Sequence, residues 1–220
     1  MAELHTLGAE ALLALIRQRF AGTRPERAIE SLRIGPFPPE MTSRFRGMFP
    51  PNPTPAAVLV PIVDRGDALS VLLTERSSGL KHHAGQVSFP GGRLEPHDEG
   101  PVEGALRETE EEIGLGREFV EVVGYLPDHM IISGYQVTPV VAMVREGFTL
   151  ALDSSEVAGT FEVPLSHLFD PASRVTRRRR VAGSDIEYDA GEVPWDGRLI
   201  WGATAGMLFT LHQLLDEACR

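Results

Sequence analysis

Arg107, Glu108, Glu111 and Glu112 fall within six consecutive residues. A helix turns about 100° per residue, so Glu108, Glu111 and Glu112 (i, i+3, i+4) share one stripe. Three carboxylates on one stripe repel one another unless a cation sits between them. Acidic, all-oxygen ligands suit a hard cation such as Mg²⁺ or Mn²⁺. Val102, Ala105, Leu106, Thr109 and Ile113 form the opposite stripe at i, i+3, i+4, i+7 and i+11. The predicted helix buries one side and offers the other to metal.

That helix needs a scaffold. It is expected to begin near Pro101, which suits a first turn, with Asp98 and Glu99 at its positive end. Gly114 is the expected C-cap. Upstream, Ala56–Val63 and Leu69–Thr74 flank the turn Asp64-Arg65-Gly66-Asp67, a pattern that predicts a buried β-hairpin. Gln86–Phe89 is a short strand running into Pro90-Gly91-Gly92. Downstream, strands are expected at Phe119–Leu126, Gln136–Val144 and Gly159–Val163, then a short helix from Pro164 to Phe169. A β-like stretch follows around Ile186–Tyr188, and a helix spans Ala203–Ala218. Ala9–Phe20 reads as an amphipathic helix, and Gly22–Thr54, rich in Pro and Arg, as an extended arm. Strands and helices intermix without regular βαβ alternation, so the expected class is α/β of the α+β kind, with a mixed sheet. The expected division is residues 1–54, an N-terminal helix and Pro-rich arm packing on the rest, and 55–220, the main domain.

The totals restrict partners. A chain of 220 residues, 42% hydrophobic and 24% charged, is that of a globular protein with a substantial core. A formal net charge of −10 disfavours nucleic acid and anionic membranes. Anionic small substrates would then need metal and a few local Arg or Lys. The single cysteine, Cys219, fits a reducing cytosol. No stretch has the length of a membrane span, and the start lacks the basic n-region and cleavage site of a signal peptide, so a cytoplasmic location is expected.

Gly92–Leu115 resembles the Nudix box. Arg107-Glu108-Thr109-Glu110-Glu111-Glu112-Ile113-Gly114-Leu115 matches its second half, with Thr109 where an aliphatic residue is usual. The first half holds one residue more than the pattern. Its acidic position is therefore Asp98 counted forward from Gly92, or Glu99 counted back from Arg107. Leu72-Leu73-Thr74-Glu75-Arg76-Ser77 and Lys81–Gly92 (KHHAGQVSFPGG) are similar to the segment marking the coenzyme A pyrophosphatase branch of Nudix hydrolases. Ser133–Val141 and Ile200–Ala205 resemble that branch too.

The resemblance implies a Nudix fold, a mixed sheet between helices with an N-terminal extension. It implies Mg²⁺- or Mn²⁺-dependent hydrolysis of coenzyme A, or its acyl or oxidised forms, to 3′,5′-ADP and 4′-phosphopantetheine. Metal would be held by Glu108, Glu111 and Glu112, with the carbonyl near Gly91 completing a site. Glu108 and Glu112 are the surest ligands, because i, i+4 brings them together on one face. Arg107 would hold geometry, by pairing with Glu111 or with the Asp98–Glu99 loop. The proton acceptor for water is Glu111, Glu112 or Glu156, the last lying before the strand that carries Phe161. Arg76, Lys81, His82, His83 and Arg93 are candidates for the nucleotide's phosphates. Competing readings are a hydrolase of ADP-ribose or dinucleoside polyphosphates, and a non-catalytic binding module on the same fold. The protein is expected as a monomer or homodimer.

Some features carry blander expectations. Arg177–Arg180 reads most simply as an exposed, solubilising run. Trp201 beside Gly202 reads as core packing at a helix start, and Cys219 as no nucleophile.

Overall fold

A computed structural model describes residues 3–25, 33–34 (backbone), 50–79, 83–131, 133–180, 185 and 187–219. Lys81, His82 and the Gly35–Pro39 part of the arm lie outside the described residues. Strand β1 is Arg33–Ile34, β2 Thr54–Asp64, β3 Leu69–Arg76, β4 Val87–Ser88 and β5 Gly91–Arg93. They are followed by β6 (Val120–Tyr125), β7 (His129–Met130), β8 (Tyr135–Val144) and β9 (Val157–Pro164). The helices are α1 (Ala9–Phe20), α2 (Pro101–Ile113), α3 (Leu165–Phe169) and α4 (Gly202–Cys219). A second, three-stranded sheet holds β10 (Val175–Arg180), β11 (Glu187–Trp195) and β12 (Arg198–Ile200).

The centre of the main sheet is β2. It runs parallel to β8 from Thr54↔Tyr135 to Val63↔Val144. Its other edge is shared. Ile62–Asp64 pair antiparallel with β3, while Ala56–Val58 pair with β5. The far end of β3 pairs instead with β4, at Thr74↔Ser88 and Glu75↔Val87. Strands β2 and β3 therefore diverge, and residues 87–93 fill the fork between them. Gly91 is required there. Its φ is 141°, and a Cβ would lie 2.6 Å from the backbone Cα of Val58.

Side chains of β2 alternate between two cores. Ala56, Val60 and Ile62 face α1, α3 and α4, with Phe20, Phe169 and Leu211 fully or almost fully buried. Ala57, Leu59 and Val63 face α2, against Ala105 and Ile113. This is the expected mixed sheet between helices. Thr109, the residue standing in for an aliphatic, is buried on α2, and its hydroxyl donates to the Ala105 carbonyl at 2.6 Å. Gly114 caps α2 in the left-handed conformation (φ 68°), with its N–H on the Glu110 carbonyl. Among the described residues no helix is long and apolar enough to cross a membrane.

The arginine run departs from its expectation. Residues 175–180 form β10, so successive side chains point to opposite faces. Arg177 and Arg179 share a face with Ala190 and Tyr188 of β11, and both reach Glu192, which has no exposed surface. Arg179 also lies 4.8 Å from the centroid of Trp201. On the other face Arg178 and Arg180 pair with Glu187. The run is thus half a structural ion cluster rather than a solvated stripe. Glu192→Gln leaves two guanidiniums sharing one neutral amide. The cost is discounted because the Arg177 side chain is 62% exposed. A loss of about 2 kcal/mol is expected, read as a lower midpoint in chemical denaturation; an unchanged midpoint refutes the cluster's role.

Candidate active site

Helix α2 and the segment in the fork face each other. Glu112 comes from the last turn of α2, and its side chain is only 5% exposed. Its Oε2 accepts the Gly91 N–H at 3.1 Å, and its Oε1 lies 3.5 Å from Nη1 of Arg76 at the end of β3. Burial, first of all, pushes the Glu112 carboxyl up to about 7. The Gly91 N–H and Arg76 oppose that rise, while the charges of Glu108 and Glu156 add to it.

One turn earlier, Glu108 packs over Gly92, where a Cβ would fall 2.5 Å from its Oε2. Its carboxyl is raised chiefly by burial, with Arg107 pulling the other way and Glu111 and Glu156 pushing it up. Arg107 is the hub. Nε and Nη2 grip both Asp98 oxygens, at 3.0 and 2.9 Å, while Nη1 donates to Glu108 and Glu111 at 3.0 Å each. Nη2 also donates to the Arg93 carbonyl at 3.2 Å. The fork geometry of a guanidinium suits such bidentate grips. Asp98 is held down to about 2, first by Arg107. Of the two acids left open by the longer loop, Asp98 is the one that Arg107 holds. The Glu95 N–H closes the loop on the same carboxylate at 2.8 Å.

Glu156 enters from the opposite side. Its carbonyl accepts the Ser77 N–H at 2.7 Å, its own N–H donates to Asp153, and its side chain is exposed. The Asp153 N–H in turn binds the Glu112 carbonyl at 2.9 Å, tying this loop to the end of α2. Glu111 is open to solvent, its side chain 61% exposed.

The candidates thus separate into groups. Arg76 and Gly91 each reach Glu112, while Arg107 pairs with Asp98, Glu108 and Glu111. The two sets face each other, and the charges of Glu108 and Glu156 both bear on Glu112. Gly91 is seen to reach Glu112 through its N–H. The side chain of Arg93 is directed elsewhere. Its strand register places it with Ala56, on the sheet face opposite Gly92 and Glu108, and its exposed guanidinium lies near Tyr135. Sequence reasoning missed the Arg76–Glu112 pair, because no spacing rule links the end of a strand to a helix more than thirty residues away.

Carboxylates with half-buried heads and raised proton affinity are the donor chemistry of a hard divalent ion. Among the described residues no three acidic, His or Cys side chains converge closely enough to enclose an ion as they stand. Arg76 and Arg107 draw the glutamates toward themselves. Glu111 and Glu156 are exposed, and Glu111 would have to leave Arg107, so the donor set fits such an ion only after side-chain movement.

Gly92→Ala probes this packing. The Cβ would meet the flexible end of Glu108 rather than backbone, so the fold survives while the carboxylate is displaced. Turnover about tenfold lower with an unchanged melting temperature is the expected result; full activity would show that the position of Glu108 is immaterial.

A loop and helix of this form, seated in the fork of a mixed sheet, define a Nudix hydrolase. The NUDIX domain family model matches residues 53–182, and the chain belongs to that family. It is 39% identical over 185 residues to a Yersinia enterocolitica protein named uncharacterized Nudix hydrolase NudL, covering 80% of this chain and 92% of the relative. The namesake from Photorhabdus laumondii is 37% identical over 189 residues, covering 81% and 96%. Among solved structures, a MutT/nudix family protein from Enterococcus faecalis aligns over 80% of this chain and 69% of its own, at 17% identity and a TM-score of 0.47. Nudix hydrolases act on small-molecule pyrophosphates and generally use divalent metals.

Proposed function

We propose that this Nudix hydrolase cleaves the pyrophosphate of coenzyme A, or of its acyl or oxidised forms, to 3′,5′-ADP and 4′-phosphopantetheine, with Mg²⁺ or Mn²⁺. One observation carries the reading. Segments that resemble the coenzyme A branch, far apart in sequence, come together around residues 87–93. Arg76 and Gly91 both touch Glu112, the Thr204 hydroxyl donates to the Val87 carbonyl at 3.0 Å, and Tyr135 lies near Arg93.

A bound divalent cation supplies neutralising charge for the anhydride oxygens. The residues supply the rest. Glu108, Glu111 and Glu112 are the ligands. The Arg107–Asp98 pair fixes the turn of α2 that carries Glu108 and Glu111. Glu156 takes the proton of the attacking water, with Glu111 and Glu112 as the other acids within reach. The water oxygen bonds to one phosphorus while that atom's bond to the bridging oxygen breaks. The bridging oxygen leaves with the other phosphate. Arg76 serves the phosphates from the protein side.

The test is a panel of coenzyme A, ADP-ribose, NADH and diadenosine polyphosphates with Mg²⁺ or Mn²⁺, alongside a Glu112→Gln control. Release of 3′,5′-ADP from coenzyme A by wild type alone is expected. Cleavage of only the other substrates overturns the coenzyme A reading, and binding without any turnover overturns the catalytic one.

A further inference from the structure

We infer that Arg76 is a positioning residue that exchanges partners. It restrains Glu112 until a divalent cation takes that carboxylate, then turns to a phosphate of the substrate, so that cation and substrate bind cooperatively. This rests on the metal-dependent reading above.

Three features of the structure lead there. First, the contact is loose. Nη1 of Arg76 stands 3.5 Å from Glu112 Oε1, beyond the 2.7–2.9 Å of a close charge-assisted hydrogen bond, whereas Gly91 holds Oε2 at 3.1 Å. A cation taking Oε1 at about 2.1 Å would stand beside the guanidinium, and two positive groups would then contest one oxygen.

Second, only the side chain needs to move. The Arg76 backbone is pinned on both sides, its N–H on the Gln86 carbonyl and its carbonyl accepting the Gly85 N–H, both at 3.0 Å. The next residue, Ser77, is bound to Glu156. The guanidinium therefore turns on a fixed stem, in the gap between Glu112 and the loop that carries Glu156.

Third, the neighbouring acids other than Glu156 already have cationic partners. Glu75 pairs with Arg198 at 3.2 Å, and Glu108 and Asp98 pair with Arg107. An Arg76 displaced from Glu112 is thus directed toward an anion brought into the site. A phosphate offers the paired oxygens that a guanidinium matches best.

Coupling of this kind is reciprocal and measurable without turnover. Mn²⁺ binding is followed by electron paramagnetic resonance for wild type, Arg76→Gln, Arg76→Lys and Glu112→Gln, with and without methylenediphosphonate as a non-hydrolysable pyrophosphate. With no phosphonate, Arg76→Gln should bind Mn²⁺ about fivefold tighter than wild type, the scale of one like-charge contact removed near a surface. With Mn²⁺ saturating, it should bind methylenediphosphonate about tenfold more weakly. Arg76→Lys should fall between on both measures and show that the site is still folded. If Arg76→Gln binds Mn²⁺ no tighter than wild type, or binds the phosphonate unchanged, the exchange is wrong. If wild type and Glu112→Gln bind Mn²⁺ alike, the metal reading fails and this inference with it. If wild type binds Mn²⁺ but leaves coenzyme A intact, only the substrate assignment falls.

Discussion

Glu112→Gln is expected to lower kcat/KM on a pyrophosphate substrate by about 10³-fold, the several kcal/mol that bound cations contribute to the transition state. The fold should survive, and above neutral pH it should gain stability. Glutamine keeps the volume of the buried side chain and an oxygen for the Gly91 N–H. What it lacks is charge. Burial raises the Glu112 carboxyl from 4.5 to about 7, so between those values the folded protein holds a proton that the unfolded chain has released. Its contribution to stability is full below about pH 4.5 and lost as pH rises through about 7. In Glu112→Gln that decline disappears. Melting curves at pH 5 and pH 8 measure it: the wild type loses more between the two than the variant does. Equal losses would mean that the burial of this charge is already compensated. Because metal and proton compete for one carboxylate, wild-type turnover at limiting metal should also climb through pH 7, and added metal should shift that climb to lower pH.

Glu156→Gln should reduce kcat by about 10²–10⁴, as for loss of a general base, with little change in KM. The substitution is conservative. Glu156 is exposed and its backbone bonds to Ser77 and Asp153 do not depend on its carboxylate, so the loop should hold. Its charge bears on both Glu108 and Glu112, the two proposed metal ligands. Two readouts distinguish its roles. A base loses the acid limb of the pH–rate profile and leaves Mn²⁺ affinity intact, whereas a ligand loses Mn²⁺ affinity. Unchanged turnover removes Glu156 from the site.

What the sequence made legible follows from the range of each physical rule. The helix with Glu108 and Glu112, its Gly114 cap and the β2–β3 hairpin all rest on local periodicity and turn chemistry, and all appear within a few residues of their expected ends. The pairing of Arg107 with both Asp98 and Glu111 was likewise within reach, since the partners lie nine and four residues away. Contacts between distant segments were not. The Arg76–Glu112 pair, the direction of the Arg93 side chain and the burial of Glu112 depend on how β2 and β3 separate. A linear pattern carries no signal for that separation. The arginine run is a different case. Strand alternation by itself separates Arg177 and Arg179 from Arg178 and Arg180, whereas a run of like charge carries no such division.

The fork has a bearing on how such a chain tolerates change. Residues 87–93 are clasped on both flanks by ladder pairing, and Arg107 reaches over to the Arg93 carbonyl from the helix. Leu94 is still held, its N–H on the Pro55 carbonyl at 3.1 Å, and the turn beyond it is pinned back to the helix at Asp98. An added or removed residue in that turn would leave the ladder pairing of residues 87–93 as it is. Loop length and strand register are thereby separate variables in this part of the chain.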